Sequence, residues 1–334
     1  MLFLFTLMMG TLISISANSW FAAWMGLEIN LLSFIPLMSS AQNKFSSEAS
    51  LKYFLVQTLA SLILLFAAIY MYMNNSMLLI DPNIFFTIIS LSLLLKMGAA
   101  PFHFWFPGTM EGLNWNNCFI LMTWQKIAPF MLLSYVYPFS SFMMPFTISC
   151  IIIGSLGGLN QTSLRKLLAY SSINHLGWML ASLMTGENLW MMYFSIYMFL
   201  SLAIIFLFHT FQVFHINQNF MMLINSPTLK FSLFTLLLSL GGLPPFLGFL
   251  PKWLIIQNLI TNNIIFLVMI MVITTLITLF YYLRLTFSSF LLSYSNIKWN
   301  KSLHLNYSSY LILMTFSLIS MTGLLICSMI FILL

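Results

Sequence analysis

LSLLLKMGAAPFHFWFP, residues 91–107, sets one lysine deep in an apolar run and follows it with Gly98, Pro101 and Pro107. An ammonium at the centre of a bilayer costs roughly 2.5–3.5 kcal/mol. That cost is of the same order as discharging the amine, which makes Lys96 a candidate proton carrier rather than a packing residue. Pro101 has no N–H to offer the carbonyl of Met97, and Gly98 loosens the turn, so a helix break is expected just beyond the lysine. Carbonyls freed there, with the negative end of the first half-helix, would face the ammonium. Broken helices are tolerated at membrane depth only inside protein or along a hydrated cavity. Ion paths are built that way.

Outward from this stretch the chain is of one kind. Its 334 residues are 61% hydrophobic and 5% charged, and the mean hydropathy of +1.01 is more than a water-facing domain can carry. The expected fold is an all-α polytopic membrane protein in a single membrane domain, residues 1–334. Apolar runs of about 17–25 residues give eleven membrane helices: 2–17, 20–40, 50–73, 84–106, 114–137, 144–160, 166–184, 188–214, 229–259, 263–290 and 309–333. The first run has no basic residue before it and reads as a membrane helix, not a cleaved leader. The net charge of +6 is too scattered for a nucleic-acid face. Cys118, Cys150 and Cys327 lie singly in apolar segments and read as packing residues.

With eleven spans, loops on the N-terminal side hold or flank Lys44, Lys52, Arg165, Lys166, Lys230, Arg284, Lys298 and Lys301, and the other side holds no basic residue. This bias puts the N-terminus and those loops in the matrix or cytoplasm and the C-terminus across the membrane. The remaining basic residues, Lys96, Lys126 and Lys252, all fall inside helices.

An internal repeat meets at the break. MGAAPFHFWFP (97–107) aligns with GGLPPFLGFLP (241–251) at an offset of 144, matching Gly98 to Gly242, Pro101 to Pro245, Phe102 to Phe246 and Pro107 to Pro251. The same offset lays the first five helices (about 2–138) over the next five (about 144–290), leaving 309–333 outside. An odd number of helices separates the copies, so they would have opposite orientation, the inverted-repeat plan of secondary transporters.

Each candidate residue has a plainer alternative beside it. Glu28 is a gating carboxylate with a lysine partner, or an interfacial or structural one. Lys126, near mid-span with Pro129 after it, is a relay or an anchored amine. Lys252 follows Pro251 in the second break, where Pro244 and Pro245 withdraw donors from the carbonyls of Leu240 and Gly241; its alternative is a lysine reaching headgroups. His103 and His175 either extend a proton wire, since imidazole titrates near pH 6.5, or pack; His209, His215 and His304 read as interfacial. Phosphate loops, metal-ligand clusters, Ser/His/Asp arrangements and paired haem histidines are absent from the sequence, so no cofactor, no metal and no redox step is expected in this chain.

EASLKYFLVQTLAS (48–61), KMGAAPFHFWFP (96–107), LRKLLAYSSINHLGW (164–178) and GGLPPFLGFLPKW (241–253) resemble, in this order and spacing, the antiporter-like membrane subunits of respiratory NADH:ubiquinone oxidoreductase, complex I. The Met-, Phe-, Ile- and Asn-rich composition is similar to that of invertebrate forms encoded in an AT-rich organelle genome. The resemblance implies a proton relay in which Glu28 faces Lys96 on the first broken helix, Lys126 lies at the membrane centre and Lys252 leads to the exit. It implies the mitochondrial inner membrane, and as partners the other membrane-arm subunits, antiporter-like ones among them, with no nucleic acid. It also implies a form shortened at the N-terminus relative to bacterial members. A stand-alone cation/proton antiporter and a structural scaffold with static buried ion pairs remain the alternatives that the same buried charges allow.

Overall fold

The computed structural model describes residues 1–40, 43–74, 82–136, 140–218, 227–291 and 307–333. Lys298, Lys301, His304, Leu334 and the side chain of Cys327 lie outside what it describes. Fourteen helices stand among the described residues, with one isolated antiparallel bridge between Ser163 and His215. The chain divides into two compact units, Met1–Cys150 and Ile151–Leu334.

The first unit holds α1 (Leu2–Ile15), α2 (Trp20–Met38), α3 (Lys44–Asn74), α4 (Pro82–Met97), α5 (Trp105–Gly112), α6 (Trp115–Met122), α7 (Trp124–Val136) and most of α8 (Ser140–Gly157). The second holds α9 (Leu164–Leu183), α10 (Glu187–Phe211), α11 (Pro227–Gly241), α12 (Phe249–Thr261), α13 (Ile265–Leu291) and α14 (Tyr307–Leu333). Six spans among the described residues are long and apolar enough to cross a bilayer: α2, α3, α6 with α7, α10, α13 and α14. Leu55, Leu59, Leu62 and Phe66 are exposed along α3; their helical spacing makes an outward apolar stripe that lipid, not water, accommodates.

Two glycines let α1 and α2 approach at backbone distance. A methyl on Gly26 would stand 2.6 Å from the backbone nitrogen of Ser14, and one on Gly10 would stand 3.0 Å from that of Asn30. Close crossings through small residues are the usual way membrane helices pair. This one fixes the height of Asn30 in the first unit.

The structure departs from the sequence reading in several places. α3 begins at Lys44 rather than at 50, because Asn43 caps it, its Oδ1 accepting from the N–H of Phe45 at 3.2 Å. Lys44 and Lys52 therefore ride on a helix, and Lys52 pairs with Glu48 one turn away. The fourth run is α4, a non-helical connection over 98–104, and α5, which continues to Gly112. The run expected at 114–137 is interrupted at Thr123, whose hydroxyl bonds back to the carbonyl of Phe119 at 2.7 Å, a habit of Ser and Thr that bends helices. The ninth run is α11 and α12 with a connection over 242–248.

Gly98 rather than Pro101 ends α4. Its φ of +72 lets its N–H reach Leu95 O at 3.2 Å while Ala99 N–H reaches Leu94 O at 3.0 Å, a Schellman cap. Gly242, at φ +78, ends α11 in the same way, with its own N–H on Ser239 O at 3.1 Å and that of Leu243 on Leu238 O at 3.4 Å.

Candidate functional site: buried lysines at two helix breaks

In the first unit Lys96 sits in the last turn of α4 with 7% of its surface exposed. The carbonyls expected to be left open around it are occupied. Besides the Schellman bonds, Leu95 O accepts from the Trp105 indole at 3.3 Å and Lys96 O accepts from Gln57 Nε2 at 3.1 Å. Lys96 instead borders a cavity with room for about one water, shared with Asn30, Tyr53, Gln57, Gln125 and Pro129. Gln125 ties its walls together: its Nε2 donates to Asn30 Oδ1 at 3.1 Å and its Oε1 accepts from Tyr53 Oη at 3.4 Å. Glu28, half-buried on α2, is the carboxylate whose field reaches Lys96. Among the described residues the two form no contact ion pair within 4.0 Å.

Lys126 is 1% exposed and lies over the Phe106 ring, 5.0 Å from its centre, a cation–π contact. Its neighbour Gln125 borders the Lys96 cavity, so one peptide links the surroundings of the two lysines. The connection after the first break is held from α8: Ala100 N–H reaches Cys150 Sγ at 3.1 Å and Ser149 Oγ donates to Ala100 O at 3.0 Å. Cys150 thus does more than pack, as does Cys118, whose thiol lies 3.5 Å from Met110 O. His103 is buried on that connection, with Nδ1 3.2 Å from Pro101 O and its ring against Phe104.

In the second unit the capping expected at Lys96 is found at Lys252. Its Nζ donates to Gly241 O at 2.8 Å and to Leu240 O at 3.4 Å, the carbonyls that Pro244 and Pro245 leave without donors. The ammonium also lies 5.8 Å from the centre of the Trp178 ring. His175 is buried with Nδ1 2.7 Å from Tyr193 Oη. It borders a second small cavity with Tyr193, Tyr197, Leu240 and Pro251. His209 and His215 lie at and just beyond the end of α10.

Residues 17–278 match the model of the NADH:quinone oxidoreductase/Mrp antiporter membrane family. The chain belongs to that family. A relative from Anopheles gambiae, NADH-ubiquinone oxidoreductase chain 2, is 56% identical over 99% of this chain and 97% of its own length. One of the same name from Locusta migratoria is 48% identical over 100% and 97%. Among solved structures, a chain of respiratory complex I from Thermus thermophilus shares the fold at a TM-score of 0.85, with 23% identity over 97% of this chain and 77% of that one. A chain of the Mrp complex from Dietzia sp. does so at 0.77, with 16% identity over 90% and 61%.

Asn30, Tyr53, Gln57 and Gln125 around Lys96, and Tyr193 and Tyr197 around His175, carry no charge that would single them out in the sequence. The available signal was an amide inside an apolar helix, as in LVQTLAS around Gln57 and TWQKIAP around Gln125. A buried amide needs a partner for each of its polar atoms, so such positions mark polar interiors even without charge.

Proposed function

We propose that this chain is an antiporter-like, proton-relaying subunit in the membrane arm of mitochondrial NADH:ubiquinone oxidoreductase, driven by electron transfer to ubiquinone in other subunits. The observation that carries this reading is the burial of Lys96, Lys126 and Lys252 in a membrane chain, two of them beside helix ends closed by the same glycine cap; Lys230, in the first turn of α11, is buried too. A proton held on Lys96 feels the carboxylate of Glu28 and has beside it a cavity with room for about one water. Asn30, Gln57 and Gln125 do not titrate, so lysines and water carry the proton while the amides hold the water in place. Lys126 continues the relay, and Lys252 exchanges its proton at the second break.

The inverted repeat belongs to the same reading. At the offset of 144, α2 and α9 begin at matching residues, Trp20 and Leu164, and α4 and α11 end at Met97 and Gly241. Gly10 against Asn30 recurs as Gly154 against Asn174, where an added methyl would stand 2.5 Å from the backbone nitrogen. These coincidences support two five-helix copies followed by one extra helix, eleven membrane crossings in all. The basic loops would face the matrix and the C-terminus the intermembrane space. The other antiporter-like subunits of the arm are the expected neighbours.

The test is Lys96→Arg at the corresponding lysine of a genetically tractable relative, beside Lys96→Met. A static ion pair tolerates guanidinium, which keeps the charge and the donors. A relay does not, because arginine holds its proton at any physiological pH. The expected outcome is an assembled complex that oxidises NADH but pumps nearly as poorly as the methionine variant. Wild-type protons per NADH in the arginine variant would remove Lys96 from the relay.

A further inference from the structure

Tyr193 plays no part in the relay described so far, yet it holds His175. Its hydroxyl lies 2.7 Å from Nδ1 of the imidazole, and the two residues are 2% and 5% exposed. Its ring stacks on Trp178, with centroids 6.5 Å apart and planes 5° from parallel. Lys252 Nζ lies over the same indole. Tyr197, one turn further along α10, sets its ring 5.0 Å from that of His175. His175 and Tyr193 border a small cavity, with room for about one water, whose walls include Leu240, which accepts from the capped ammonium of Lys252, and Pro251, which precedes that lysine in the chain.

A phenolic hydroxyl both donates and accepts. It donates to Nδ1 of a neutral imidazole and accepts from Nδ1–H of an imidazolium by turning its own hydrogen, with no heavy atom displaced. One geometry thus serves both protonation states of the ring. An amide or a carbonyl in that place would favour one state.

We propose that Tyr193 is a positioning residue that holds His175 through the gain and loss of a proton exchanged with Lys252 across this cavity. In that step a cavity water bridges Lys252 Nζ and the second ring nitrogen. One N–H bond breaks as another forms, and no electron is transferred. The groups facing His175 are Tyr193 and Tyr197 from α10, with Tyr282 of α13 acting on the two tyrosines and Lys252 of α12 held beyond Leu240 and Trp178. Glu187, at the start of α10, is the one acidic residue in the sequence from 151 to 334. The inference rests on the relay reading of Lys252.

The experiment measures protons taken up per NADH oxidised, across pH, in sealed vesicles carrying the assembled complex with Tyr193→Phe, His175→Gln, both together, or Lys252→Met. Phenylalanine keeps the stack on Trp178 and removes only the hydroxyl. The hydroxyl's bond to the charged ring is the stronger of its two, so its loss disfavours the protonated imidazole. Tyr193→Phe is expected to keep uncoupled NADH oxidation and lower the ratio about twofold at the alkaline end, with recovery toward acid, and the double variant is expected to pump no worse than His175→Gln alone. A wild-type ratio at every pH, or a loss independent of pH and additive with His175→Gln, overturns the role of Tyr193 while a poorly pumping Lys252→Met leaves the relay standing. Normal pumping by Lys252→Met overturns the relay itself.

Discussion

Lys96, Lys126 and Lys252 are held by different chemistry, and the difference sorts what each can do. Lys252 has two carbonyls at 2.8 and 3.4 Å, Lys126 an aromatic face at 5.0 Å, and Lys96 an amide-lined cavity with a carboxylate beyond contact distance. At an effective dielectric near 20, a pair 4 Å apart attracts by about 4 kcal/mol, and Glu28 acts on Lys96 from further away with less. Glu28→Gln is therefore expected to leave assembly intact and lower proton pumping several-fold without abolishing it. Unchanged protons per NADH in assembled Glu28→Gln complex would leave that carboxylate a structural role only. Gln57→Leu tests the wall of the same cavity. It strands the Lys96 carbonyl, which costs about 1–3 kcal/mol when buried, so thermal stability of the subunit should fall measurably. The lysines were legible in the sequence because a charge in an apolar run has few explanations. The amides were not, since the partners of Gln57 and Gln125 lie 39 and 95 residues away.

At the scale of the helix, Gly98 and Gly242 are the same cap in different company. Both sit at positive φ, where alanine costs roughly 1–2 kcal/mol. A methyl on Gly98 would meet Phe106 Cβ at 3.2 Å, whereas one on Gly242 would meet Lys252 Cδ at 2.8 Å and Nζ at 2.9 Å. Gly98→Ala and Gly242→Ala should thus lower the melting temperature of the complex alike, but Gly242→Ala alone displaces the ammonium from its carbonyls. The expected readout is a drop in protons per NADH for Gly242→Ala out of proportion to its change in melting temperature; equal pumping by the two variants counts against a working role for the Lys252 cap. Glycine followed by proline marked both breaks in the sequence. The interruption at Thr123 left no such mark, because a threonine bonding back to Phe119 looks from sequence like any threonine in a helix.

For the whole molecule, the packing of the second unit brings together two connections that carry basic residues. Arg284 Nη1 donates to Leu159 O at 2.6 Å and Nη2 to Gln161 O at 3.4 Å, so the end of α13 grips the connection between α8 and α9. That connection pairs with the one after α10: Leu164 N–H reaches Phe214 O at 2.9 Å, Ile216 N–H reaches Thr162 O at 3.1 Å, and Arg165 lies over Phe214. Guanidinium groups clustered where helices end favour the side of the membrane that retains positive charge. Thr162 and Asn217 are both exposed there, while Cys118 and Cys150 are buried. Cysteine placed at either exposed position should react with a membrane-impermeant thiol reagent only when the matrix-equivalent face is presented, as in inside-out vesicles, and both should react from that same face. Labelling of the two positions from opposite faces would contradict the packing of these connections. Labelling of both from the outer face would keep the packing and reverse the orientation drawn from the basic residues, and with it the direction in which Lys96 and Lys252 would hand on a proton.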